Sequence, residues 1–204
     1  MSGWRTHSGP AVGLDQHGID TDQLIPARFM STPRTEGYGR FLLHDQRFEE
    51  GRPIPGHPLN TADAEDARFL IARRDFGVGS SREAAVYALV DFGIRAVIAP
   101  SFGDIFAANA VNNALAPLRV SEAAAESLLS LTGTGATELH VDLTATHMNA
   151  GQEKIAFALD DHWRTKIING WDDIDLTGKH QGAIAAYREA DMVRRPWAVV
   201  ARGA

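Results

Sequence analysis

Cysteine is absent from the 204 residues. That excludes disulfides, and it excludes a zinc ion or iron–sulfur cluster held by thiolates of this chain. Long apolar runs are missing as well. No stretch approaches 18 uninterrupted apolar residues, so no membrane-spanning helix is expected. The N-terminus, MSGWRTHSGPAVGL, lacks the basic-then-apolar layout of a secretion signal, and a cytoplasmic location is the expectation. Positive charge is in deficit: a net charge of −6 offers no general basic face for nucleic acid. The eight histidines are scattered without the four-residue spacing of a metal pair on one helix, so no metal site is expected. Repeats and low-complexity tracts are also absent.

What is present suits one globular unit: 44% of residues are hydrophobic and 23% charged. We expect a single domain over 1–204, with a C-terminal helical extension from about 172. Residues 31–66 are irregular and rich in Gly, Pro and charge, and a loop of that length inside a compact domain is usually functional or mobile. The strongest pattern runs from 68 to 120. An apolar strand at 69–72 precedes a helix at about 81–92, which Gly93 can end. A strand over 94–99 follows and Pro100 stops it. Ser101 is then expected to cap a second helix running to about Asn112, before a strand in APLRV. Strands alternating with helices in this way signal parallel crossover units. Ser121 is expected to cap the helix SEAAAESLLSL. TELHVDL and KIAFALD alternate with period two and read as an antiparallel hairpin, with ATHMNAGQ between them. A final helix spans about Asp175 to Arg194.

The stretch RRDFGVGSSRE, residues 73–83, joins the 69–72 strand to its helix. Gly77 and Gly79 permit tight or left-handed backbone. The first N–H groups of a helix lack internal partners, and with the helix dipole they favour an anion. Ser80 and Ser81 add hydroxyls, and Arg82 adds a forked cation suited to a carboxylate. Helix capping by one serine, with Glu83 in the first turn, is the competing explanation. It leaves the glycines, the other serine and Arg82 unexplained. No Gly-Lys-Ser/Thr follows, the third glycine of a dinucleotide fingerprint is missing, and Arg82 breaks the pattern of a serine-hydrolase elbow. A small polar acid fits the stretch better than a nucleotide.

FLIARRDFGVGSSRE and VIAPSFGDIFAANAVNNALAPLRV closely resemble the small-subunit family of 3-isopropylmalate dehydratase, which corresponds to the swivel domain of aconitase. GIDTDQLIPARFM (18–30), GYGRFLLHDQRF (37–48) and WDDIDLTGKHQGAIAAYREA (171–190) resemble it too. The resemblance implies an α/β fold, a three-layer β/β/α swivelling domain with parallel and antiparallel strands. It implies a hydro-lyase reaction that moves a hydroxyl between neighbouring carbons, converting 2-isopropylmalate to 3-isopropylmalate in leucine biosynthesis. The cofactor, a [4Fe–4S] cluster, would belong to a separate large subunit, the expected partner. By the same resemblance Ser80 takes the substrate proton, and Ser81, Arg82 and Asp22 contact the small diacid. Arg34 and Thr35 fall in the substrate-recognition segment 31–36, and Arg28 lies just before it, facing substrate or flanking a strand. Asn112 and Asn113 match paired asparagines expected to end a helix near the site. Ala84 departs from the pattern, standing where histidine is usual. A sister dehydratase for homoaconitate, citramalate or dimethylmalate is the alternative, and a non-catalytic module that kept the fold is another.

Overall fold

The computed structural model describes residues 3–61, 64–133 and 137–198. The chain opens on strand β1 (Thr6–Leu14), followed by the short helices α1 (Thr21–Leu24) and α2 (His44–Arg47) and a small hairpin, β2 (Phe48–Glu49) and β3 (Arg52–Pro53). The crossover region follows: β4 (Phe69–Ala72), α3 (Glu83–Phe92), β5 (Ala96–Ala99), α4 (Asp104–Asn112), β6 (Ala116–Arg119) and α5 (Glu122–Thr132). Then come β7 (Thr137–Asp142), β8 (His147–Ala150) and β9 (Glu153–Ala156), and the helices α6 (Asp161–Asn169), α7 (Asp173–Gly178) and α8 (Gln181–Arg194).

Seven strands form one mixed sheet in the order β6-β5-β4-β1-β7-β8-β9. The pairs β6–β5, β5–β4 and β4–β1 are parallel; β1–β7, β7–β8 and β8–β9 are antiparallel. Strand alternation places two cores on this sheet. Leu70, Ala72, Val97 and Ala99 face one side with α3 and most of α4; Phe69, Ile71, Ala96 and Ile98 face the other. The second side also holds Leu139, Val141 and Met148 from the antiparallel strands, so the antiparallel half folds over the parallel half. The two ends of the sheet meet where Arg119 and Ala158 exchange backbone hydrogen bonds of 3.1 and 2.7 Å. The result is a curled mixed sheet with helices packed on it, in keeping with the fold class that the resemblance implies.

Several local expectations hold. Gly93 ends α3 with φ +114° and Ser121 caps α5. Three need correction. Gly103, not Ser101, stands at the start of α4, because the Ser101 hydroxyl is engaged with the backbone N–H and the carboxylate of Asp75, each at 2.8 Å. The polar stretch ATHMNAGQ contains a strand of its own, β8, inserted between the two strands read as hairpin partners. Its Met148 and Ala150 are buried, and that two-residue period is too short to stand out from the sequence. The final helix is two helices, broken at 179–180.

The second of these, α8, has no buried residue, and neither does α7. Their tie to the rest is polar: buried Lys166 on α6 donates to Asp173 at 2.7 Å and to Asn112 at 2.5 Å. No helix among the described residues is long and apolar enough to cross a membrane. Phe69→Ala, in the fully buried centre of the sheet, is expected to cost about 3–5 kcal/mol. Ile174→Ala, at a position 79% exposed on α7, should cost less than about 0.5 kcal/mol. Urea denaturation of the two variants checks both values.

Candidate active site

Four parallel strands end at one edge of the sheet, where open α/β sheets carry their sites. The chain leaves β1 and β4 at this edge, and the two departing segments stay paired. Arg73 N–H donates to Gln16 O at 3.2 Å, Gly18 to Arg74 at 3.0 Å, Gly77 to Ile19 at 2.7 Å and Thr21 to Val78 at 3.0 Å. On its other flank the 73–82 loop is held by Phe76 N–H on Ser101 O (3.1 Å) and Gly103 N–H on Phe76 O (2.9 Å). The loop is therefore clamped from both sides although it carries no regular structure.

Its floor is aromatic. Phe76 is fully buried and packs edge-on against Phe106, ring centres 5.3 Å apart. Gly77 lies over that ring at φ +72°, and a Cβ there would sit 2.2 Å from Phe106 Cγ. Glycine is demanded twice, by the backbone angle and by the space. The clamp carries the loop to Ser80, Ser81 and Arg82, directly before α3.

Neither serine caps the helix. Arg82 is the N-cap residue and no side chain satisfies the first turn. The competing explanation of the serines thus fails: both residues are exposed, and neither hydroxyl caps α3. Arg82 is partly buried and ion-pairs with Asp22. Asp20 caps α1 in a capping box with Gln23, accepting from its N–H at 2.7 Å. Between the two aspartates stands Thr21, 1% exposed, whose Oγ1 donates to Ser80 O at 2.9 Å.

So Asp22, Ser80, Ser81 and Arg82, expected together, are together. The other three residues have surroundings of their own. Arg28 is bound to Asp45 and lies 4.5 Å from the Phe29 ring centre. The hydrogen bond from Arg28 pulls the Asp45 carboxyl down to about 2, so this pair is charged at neutral pH. Arg34 makes a two-pronged contact with Asp91, 2.6 and 2.8 Å, and rests on the Tyr87 ring at 4.4 Å. Asp91 also accepts from Tyr38 N–H at 2.6 Å. Asp91 is nine residues beyond Arg82, about 13 Å along the axis of α3. Thr35 is exposed in the short turn Arg34–Glu36.

Two residues have partners that the sequence reading did not give. Thr21 was visible only as the middle of a polar turn, and its role depends on a partner 59 positions away. Asn113 is buried and donates to Glu83 at 2.9 Å, tying the end of α4 to the first residue of α3. A cavity of about 610 Å³ is lined by Gly37, Arg40, Arg47, Asn60, Asp91 and Phe92 among others, at the far end of α3. None of residues 80–82 borders it, so the chemistry-bearing groups and not cavity size locate the site.

Comparison with known proteins gives the relatives of the chain. Residues 1–123 match the family described as the aconitase C-terminal domain. A curated protein of Shouchella clausii (strain KSM-K16), named 3-isopropylmalate dehydratase small subunit, is 41% identical over 184 residues, covering 90% of this chain and 93% of its own. The crystal structure of 3-isopropylmalate dehydratase from Methanocaldococcus jannaschii superposes with a TM-score of 0.64 at 22% identity, over 89% of this chain and 99% of that one, a likeness of fold.

Gly77→Ala should destabilise the protein by about 2–5 kcal/mol, from about 1–2 for left-handed backbone with a side chain and about 1–3 for overpacking against Phe106. Gly51→Ala, at φ +75° in open space, should lose only the first part. Denaturant midpoints of the two variants separate strain from steric overlap.

Proposed function

We propose a function from one premise, that the chain belongs to the aconitase C-terminal-domain family, among the small subunits of 3-isopropylmalate dehydratase. In this reading the chain works with a large subunit as a hydro-lyase. Together they convert 2-isopropylmalate to 3-isopropylmalate by removing and re-adding water, a step of leucine biosynthesis. The observation that carries the reading is the pair of exposed, uncapped serines beside Arg82 on a loop fixed by backbone hydrogen bonds.

Ser80, as its alkoxide, takes the proton from a carbon next to a carboxylate. The C–H electron pair becomes the double bond as the hydroxyl leaves the neighbouring carbon. Rehydration with the opposite placement returns the proton. A serine is a weak base unless its negative oxygen is stabilised. In this reading the uncapped first turn of α3 and the Arg82 guanidinium supply that stabilisation. Ser81 and Arg82 hold a substrate carboxylate, which competes with Asp22 for the guanidinium. Arg28 and Arg34, already committed to Asp45 and Asp91, shape the segment around the substrate's variable group. Thr35 is the exposed side chain of that segment.

The residues of this chain do not fit a cluster. It has no cysteine, and among the described residues no three His, Asp or Glu side chains gather as metal ligands. The [4Fe–4S] cluster, the Lewis acid for the departing hydroxyl, is accordingly assigned to the large subunit.

In the reconstituted complex Ser80→Ala should lower kcat by about 10²–10⁴-fold with KM roughly kept. Arg82→Lys keeps the charge but loses the fork, and should weaken substrate binding by about 1.5–3 kcal/mol. Steady-state kinetics with direct substrate binding checks both. Near-normal kcat in Ser80→Ala would remove Ser80 as the base.

A further inference from the structure

We infer that Thr21 is a positioning residue for Ser80, acting through the Ser80 carbonyl. The inference rests on the reading of Ser80 as the base. Three observations converge on it. Thr21 is 1% exposed, so its hydroxyl has no access to substrate and must find its partner inside the protein. That partner is Ser80 O, 2.9 Å away, and the same residue's backbone N–H donates to Val78 O at 3.0 Å. Ser80 O accepts a second hydrogen bond from Arg82 N–H at 2.8 Å.

The carbonyl is thus gripped from two directions. One grip is local, two residues along the chain. The other crosses from α1. Two donors at one carbonyl fix the plane of the Ser80–Ser81 peptide, which leaves the Cα that carries the Ser80 side chain. Among the described residues no other side chain hydrogen-bonds to Ser80, which is itself exposed and does not cap α3. Gly79, immediately before it, has φ +98°, and a Cβ there would stand 3.4 Å from Thr21 Oγ1, an ordinary contact, so the Thr21 hydroxyl lies beside the approach to the serine and the backbone angle alone asks for glycine. Neighbouring Asp22 meanwhile holds Arg82. One turn of α1 thereby sets the serine through Thr21 and the arginine through Asp22.

A hydroxyl at position 21 is what the geometry requires; the methyl group only fills the core. Thr21→Val keeps the shape and loses the donor, leaving Ser80 O with its local partner alone. Thr21→Ser keeps the donor and loses the methyl. In the complex reconstituted with a large subunit of the family, Thr21→Val should lower kcat about 10–100-fold with KM changed less than about threefold, the size of effect expected of a misplaced reacting group. Thr21→Ser should restore kcat to within about fivefold of the parent. Thr21→Val combined with Ser80→Ala should be no slower than Ser80→Ala alone, since a positioner has nothing left to position. Hydrogen exchange at the 80–82 amides should quicken in Thr21→Val and not in Thr21→Ser.

A normal kcat in Thr21→Val, a loss confined to KM, or effects that multiply with those of Ser80→Ala would overturn the inference. Thermal melting and gel filtration confirm that each variant folds and assembles. If Thr21→Val does not assemble, Thr21→Ala against Thr21→Ser makes the same comparison. Failure of the underlying reading is a separate result: it shows as near-normal kcat in Ser80→Ala itself, whatever Thr21→Val does.

Discussion

The structure depends on a backbone ladder that outlasts its strands. β1 and β4 pair in parallel through Gly13–Ile71 and Leu14–Ala72. The segments beyond them continue to exchange N–H and C=O as far as Thr21 and Val78. Parallel strands close a long loop, here more than 50 residues, and the entropy of that closure is met by burial of Leu70, Ile71 and Ala72 between two cores. Once closed, the ladder delivers two distant polar stretches, residues 18–22 and 74–82, to one place. Each stretch carries one large buried apolar residue, Ile19 or Phe76, and is otherwise mostly polar or small. Their order is inherited from the sheet.

This explains what could be read in advance and what could not. Phe69 to Ala72, Ala96 to Ala99 and the apolar face of α3 carry their periods openly, because a strand buried on both faces is a continuous apolar run. The glycines and the Ser-Ser-Arg triplet announced a special junction for a comparable reason: few residues tolerate φ near +72° or an uncapped helix start. Ser101 misled because two signals overlap on it. A serine before a helix resembles a cap, yet here Asp75, 26 positions earlier, claims its hydroxyl. β8 was hidden because four residues with one polar pair leave almost no period to detect.

Among the site residues the division is similar. Ser80, Ser81 and Arg82 are contiguous and were legible as a motif. Asp22 came from the resemblance and lands on Arg82. Arg28 and Arg34 were legible as cations, but their carboxylate partners, Asp45 and Asp91, lie 17 and 57 positions away, and sequence spacing carries no record of such pairing. Asn113 looked like the end of a helix and is one. That it also reaches Glu83 follows from the packing of α4 beside α3.

The meeting of the sheet's ends at Arg119 and Ala158 has a bearing on how the molecule associates. An open sheet advertises rows of unsatisfied peptide groups and can be lengthened by any passing extended chain. A sheet that curls until its margins touch withdraws most of that invitation. Whatever docks on this protein must then recognise contour and charge, a demand that unrelated chains in a crowded cell rarely meet by accident.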